Sequence, residues 1–138
     1  MTEIRLIDHL PEAQLEELRR LYISAGWLKE DEAWAFLPEM LKRTEVAVGA
    51  FDGESLVGFG RALSDGCSDA YIQDVVVALS CRKQGIGGRI IRALETVLRE
   101  RGVEWIALVG EPGTEPFYRK LGFQAKPGYT LWMIPEEQ

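Results

Sequence analysis

Seven consecutive residues, Arg82-Lys83-Gln84-Gly85-Ile86-Gly87-Gly88, carry the strongest chemical signal in the chain. They combine two cations with three glycines and stand between two different apolar patterns. Ahead of them, Tyr71 to Val77 is aromatic and β-branched, the composition of a buried strand. Behind them, Ile86, Ile90, Ile91, Leu94, Val97 and Leu98 recur as one face of a helix. Glycine lets backbone approach a ligand with no Cβ in the way, and a helix start offers unpaired N–H groups with partial positive charge. A phosphate or diphosphate suits such a cradle.

Two familiar phosphate loops fail on chemistry. A Walker A loop needs Gly-Lys-Ser/Thr, but Gly88 is followed by Arg89 and Ile90, so the lysine and the magnesium-binding hydroxyl are missing. A dinucleotide fingerprint would begin at Gly85 and Gly87, yet it meets Ile90 where a third small residue belongs. Its acidic residue should end the next strand, whereas Glu104 precedes that strand.

The remaining chain supplies elements to hold this loop. Glu3 to Asp8 reads as a first strand, and Pro11 to Ala25 as an amphipathic helix through Leu15, Leu18, Leu21 and Tyr22. Asp31 to Thr44 reads as a second helical stretch, kinked or split at Pro38. Tyr22, Trp27, Trp34 and Phe36 supply core packing or the wall of a substrate cleft. Glu45 to Phe51 and Leu56 to Leu63 form a hairpin around Asp52-Gly53-Glu54, and Gly58 and Gly60 signal a bulge or a close backbone contact. Trp105 to Val109 is a buried strand parallel to Tyr71–Val77. Thr114 caps a short helix from Glu115 to Leu121, and Phe123 to Ala125 and Tyr129 to Ile134 read as closing strands. The expected class is mixed α+β with one strand–helix–strand crossover.

Composition sets limits. A chain of 138 residues suits a single domain, residues 1–138. A net charge of -6 argues against a nucleic-acid partner. Cys67 and Cys81 are separated in sequence and His9 is the only histidine, so no metal site is expected. Without a signal-peptide pattern or a membrane-length apolar run, the expected location is cytoplasmic.

Arg82-x-x-Gly85-x-Gly87, between a Val-rich strand and an Ile-rich helix, resembles motif A of the GNAT family of acyl-CoA-dependent N-acetyltransferases. Pro116-Phe117-Tyr118-Arg119-Lys120-Leu121-Gly122-Phe123 is similar to that family's FYxKLGF segment and follows in the family's order. The resemblance implies a central, mostly antiparallel mixed sheet of about six to seven strands with about four helices. One parallel strand pair would splay around CoA. Acetyl-CoA is the implied co-substrate, with its diphosphate against the backbone N–H groups of Lys83, Gln84, Gly85, Ile86, Gly87 and Gly88 and charge added by Arg82 and Lys83. Its pantetheine arm would run along Val75, Val76 and Val77. Tyr118 matches the position that returns a proton to the leaving thiolate.

The base is open between Asp74 and Glu111. Asp74 sits mid-strand among apolar residues, where a carboxylate needs either a role or a partner such as Arg61. Glu111 falls where many relatives carry a CoA-binding asparagine. Trp27, Trp34 and Asp69 are candidates for acceptor contact. The implied activity is acetyl transfer to a primary amine, with a small-molecule amine favoured. The alternatives are a protein N-terminus or lysine as acceptor, or a non-catalytic acyl-CoA-binding regulatory module. A homodimer is a further state that the resemblance raises.

Overall fold

A computed structural model describes residues 1–136, which divide into two compact units, Met1–Leu108 and a second beginning at Val109. The first contains β1 (Thr2–Ile7), α1 (Glu12–Ser24), α2 (Phe36–Arg43), β2 (Val46–Asp52), β3 (Ser55–Ser64), β4 (Asp69–Val77), α3 (Ile86–Glu100) and β5 (Trp105–Leu108). The second contains α4 (Glu115–Lys120).

The five strands form one sheet in sequence order, antiparallel from β1 to β4 and parallel between β4 and β5. Residues Val46 to Phe51 of β2 are all buried, because helices cover both faces of the sheet there. Leu18, Leu21 and Tyr22 of α1, with Leu37 and Leu41 of α2, pack on Phe51, Phe59 and Val76. The opposite face belongs to α3, which buries Ile86, Ile90, Ile91, Leu94 and Leu98. Gly60 is what lets α3 come close, since a Cβ there would lie 2.6 Å from Ile90 Cγ2 and 3.3 Å from Leu94 Cδ1.

A polar tie crosses the α1 side. The Tyr22 hydroxyl donates to Asp74 Oδ2 at 2.7 Å, and Arg61 Nε donates to the same oxygen at 2.8 Å. Burial first, and the Asp74 charge second, hold the Tyr22 phenol well above its ordinary pKa. The phenol therefore stays a donor throughout the neutral range.

Two expectations change. The second helix starts at Phe36 rather than Asp31, leaving Pro38 in its first turn. A proline there lacks only an N–H that would be unpaired anyway, whereas a longer helix would set its ring against the Trp34 carbonyl. The sheet has five strands instead of six or seven, because Phe123 to Ala125 and Tyr129 to Ile134 form no strand. The Lys126-Pro127-Gly128 turn does form, with Gly128 at φ 88° and Tyr129 N–H donating to Lys126 O at 3.4 Å. Beyond it, Tyr129, Leu131, Trp132, Met133 and Ile134 are all exposed, so no buried face sets a register.

Gly60→Ala should lower stability by about 1–3 kcal/mol through overpacking against Ile90, seen as a lower urea midpoint with an unchanged slope. Tyr22→Phe should cost about 1.5–3 kcal/mol at pH 7, the range for a hydrogen bond to a charged group. The sign of its pH dependence follows from a phenol pKa raised on folding. The Tyr22 contribution is complete below about pH 10 and is lost as pH rises beyond it. Urea unfolding of both proteins between pH 7 and 11.5 checks this: the wild-type advantage should shrink above pH 10, and a constant advantage would contradict it.

Candidate active site

Strand β4 outruns its parallel neighbour. Pairing with β5 ends at Ile72 opposite Leu108, so Gln73 to Val77 have no β5 partner. A bulge begins where that pairing stops. Arg61 lies opposite Gln73 and Phe59 opposite Val76, which leaves Gly60 facing both Asp74 and Val75. Asp74 adopts φ 58°, a left-handed conformation that costs a non-glycine residue about 1–3 kcal/mol and that aspartate tolerates better than most. Beyond the bulge, Ala78 N–H donates to Val57 O at 2.8 Å. By alternation along the strand, the Val77 N–H therefore points away from β3, toward the unpaired side.

The chain then leads directly into the glycine loop. Leu79–Cys81 makes one 3-10 turn, and Arg82 folds back to donate from Nε to the Val77 carbonyl at 3.2 Å. Lys83 at φ 63° and Gly85 at φ 80° are both left-handed, the alternation that makes successive N–H groups converge. A Cβ on Gly85 would meet nothing within 4 Å, so glycine is needed there for its dihedral angle and not for space. Gly85 is also the N-cap of α3, and no side chain caps that end. The first intrahelical bond is from Arg89 N–H to Gly85 O at 3.1 Å, so the N–H groups of Ile86, Gly87 and Gly88 have no acceptor within the helix. Arg82, Lys83, Gln84 and Gly85 are exposed. These donors and cations fit a diphosphate, and the free edge of β4 fits an extended amide-bearing arm. Together they fit the two parts of acetyl-CoA that the resemblance assigns to them.

Asp74, Val75 to Val77 and Arg82 to Gly88 thus follow one another along a single path from the bulge to α3. Asp74 is only 17% exposed and Arg61 14%. Tyr22 is the participant that motif reading missed as a partner of Asp74. Its signal was a phenol on the core face of a helix, which needs somewhere to donate. Trp27 packs edge-on against Tyr22 at 5.3 Å. Trp34 instead lines a shallow apolar hollow of about 490 Å³ with Leu15, Ala33, Ala35 and Pro38, under the Arg19 guanidinium at 5.5 Å. Asp69 begins β4, about 20 Å along the strand from Val75 at the usual rise per residue. Asp65, in the preceding loop, accepts from the backbone N–H groups of Cys67 and Ser68 and from the Ser68 hydroxyl, as a turn-forming aspartate does.

Tyr118 and Glu111 belong to the second unit. Glu111 lies in the loop whose carbonyl accepts from Thr114 N–H at 3.1 Å and Thr114 Oγ1 at 2.6 Å. The Tyr118 ring stands edge-on to Phe117 at 4.9 Å and to Phe123 at 5.7 Å. Burial first, then the Glu111 charge, raise its phenol pKa, so the ring stays protonated at neutral pH. A fixed, protonated phenol is what a proton donor requires.

Residues 10–123 match the family model described as "Acetyltransferase (GNAT) family". Serotonin N-acetyltransferase 2, chloroplastic, of Oryza sativa subsp. japonica is 45% identical over 71 residues, covering 51% of this chain and 36% of its own. The uncharacterized N-acetyltransferase ycf52 of Pyropia yezoensis is 34% identical over 117 residues, covering 82% of this chain and 66% of its own. The chain thus spans roughly a third to two thirds of the length of these curated relatives. Among solved structures, a GNAT family acetyltransferase of Streptococcus pneumoniae superposes with a TM-score of 0.78 at 27% identity, covering 99% of this chain and 100% of its own. Since the family match runs from Leu10 through Phe123 and takes in both the glycine loop and the Tyr118 helix, the chain belongs to the GNAT family of acetyltransferases.

Proposed function

We propose that this protein transfers the acetyl group of acetyl-CoA to a primary amine on a small molecule, by direct attack of the amine on the thioester. The observation that carries this reading is the continuity of three features in one stretch of backbone. A strand edge without a partner passes through a bulge and ends in an uncapped, glycine-lined helix start. Acetyl-CoA supplies an activated acyl group and a thiolate leaving group.

Each residue then has a task. The N–H groups of Ile86, Gly87 and Gly88, with Lys83, hold the diphosphate at the positive end of α3. The free edge of Val75 to Val77 receives the pantetheine arm as an added strand would be received, and an outward N–H there polarises the thioester carbonyl. One such donor contributes a few kcal/mol in comparable acyl-transfer sites. The amine must lose a proton before attack, and Glu111 through water is the base this reading favours. Tyr118, kept protonated by burial and by Glu111, protonates the departing thiolate. Trp27, partly exposed where it packs edge-on against the buried Tyr22, is the aromatic surface this reading offers to a small-molecule acceptor. The name of the rice relative, which specifies serotonin, lies in the same direction.

Tyr118→Phe should lower kcat by about 100-fold or more near pH 7, while KM for acetyl-CoA changes by less than roughly threefold. Release of free CoA across a panel of small amines measures both, with the acetylated product identified by mass. An unchanged kcat would remove Tyr118 from the chemistry. Tight acetyl-CoA binding without turnover of any amine would instead favour a regulatory acyl-CoA-binding module.

A further inference from the structure

Asp74 is the carboxylate in the stretch of β4 beyond its pairing with β5, the part that the proposed site uses, and its surroundings give it a different task from proton transfer. Two donors from two other elements, Arg61 of β3 and Tyr22 of α1, converge on the same oxygen, Oδ2. Taking a proton at that oxygen would forfeit both interactions. The residue is also the first of the two that face Gly60, and it alone in β4 carries a left-handed backbone. Strain of that kind persists only where the surroundings over-determine it. Here the fastening is visible. Arg61 lies opposite Gln73 and reaches one residue further along β4 to hold Asp74, while Tyr22 closes from the helix side. Tyr22 is itself wedged against Trp27 and Phe59, with centroids at 5.3 and 6.1 Å.

We propose that Asp74 is a positioning residue: with Arg61 and Tyr22 it clamps the β4 bulge and thereby sets the direction in which Val75 to Val77 present their backbone to acetyl-CoA. This rests on the reading of the β4 edge as the acetyl-CoA site. The clamp holds the strand in its turned-out geometry before ligand arrives, so the binding step need not bring about that ordering. Gly60 completes the device by leaving room on the α3 side, where Val75 Cγ2 lies 3.4 Å from the position of its missing Cβ.

The test compares Asp74→Asn, Asp74→Gly and Tyr22→Phe in acetyl-CoA affinity by calorimetry and in the pH profile of amine acetylation. Asp74→Gly keeps the left-handed backbone and loses the clamp. Its acetyl-CoA affinity should fall by about tenfold or more. Asp74→Asn keeps an oxygen for the Tyr22 hydroxyl but not the charge opposite Arg61. Its kcat/KM should fall about tenfold, chiefly through KM for acetyl-CoA, with the shape of the pH profile retained. Tyr22→Phe, which removes a single donor, should weaken acetyl-CoA binding roughly threefold and serves as the test if the glycine variant does not fold. A base would behave differently: both Asp74 variants would lose kcat by about 100-fold or more and the acidic limb of the profile, with acetyl-CoA affinity intact. That result overturns the proposal. So does a lowered melting temperature with unchanged acetyl-CoA affinity, which would make the clamp structural only. Failure of the wild-type protein to bind acetyl-CoA would overturn the functional reading itself, whatever the variants do.

Discussion

Backbone polar groups in a sheet must find partners, and the structure turns on one place where the sheet does not provide them. β5 has four residues and β4 has nine, so the parallel ladder ends at Ile72 and Leu108 while β4 continues through Val77. An unpaired strand edge offers a ladder to any extended chain with amide groups. The unpaired stretch runs into a helix whose first N–H groups also lack acceptors. A ligand that satisfies both must be extended and amide-bearing at one end and anionic at the other. Acetyl-CoA has that description.

Much of the surrounding architecture serves to keep that edge open and aimed. The bulge turns β4 where its partner ends, Gly60 gives the turned strand room beneath α3, and the Arg61–Asp74–Tyr22 contacts fasten it from the other face. The arrangement places a strained backbone and a largely covered carboxylate at the same residue, Asp74, and both are compensated locally. Isolated ion pairs contribute little at exposed surfaces, as with Arg43 and Glu39, which are 79% and 50% exposed. The Arg61–Asp74 pair matters because removing either member would strand a poorly solvated charge.

How legible this was in the sequence depended on range. The glycine loop could be read because a few adjacent residues specify its dihedrals and its helix start. Asp74 stood out because a carboxylate in a Val-rich strand demands a partner, and Arg61 was within reach on a neighbouring strand. Gly58 and Gly60 announced close packing, though not that α3 was the neighbour. Tyr22 could not be matched to Asp74 by local pattern, since the contact spans 52 positions. The closing strands failed for the same reason: Tyr129 to Ile134 has strand-like composition, but a strand exists only when a partner completes its ladder. At Pro38 the ring was read as a kink in, or a split of, a longer helical stretch, whereas its steric demand on Trp34 fixes where a single shorter helix begins.

Backbone amides report residue by residue whether acetyl-CoA lies along β4 and the glycine loop. Assigned ¹H–¹⁵N spectra recorded as acetyl-CoA is added should show the largest shifts at Val75, Val77 and Lys83 to Gly88, with β1 and β2 little affected. Saturable binding that leaves those amides unmoved and perturbs another surface would contradict it.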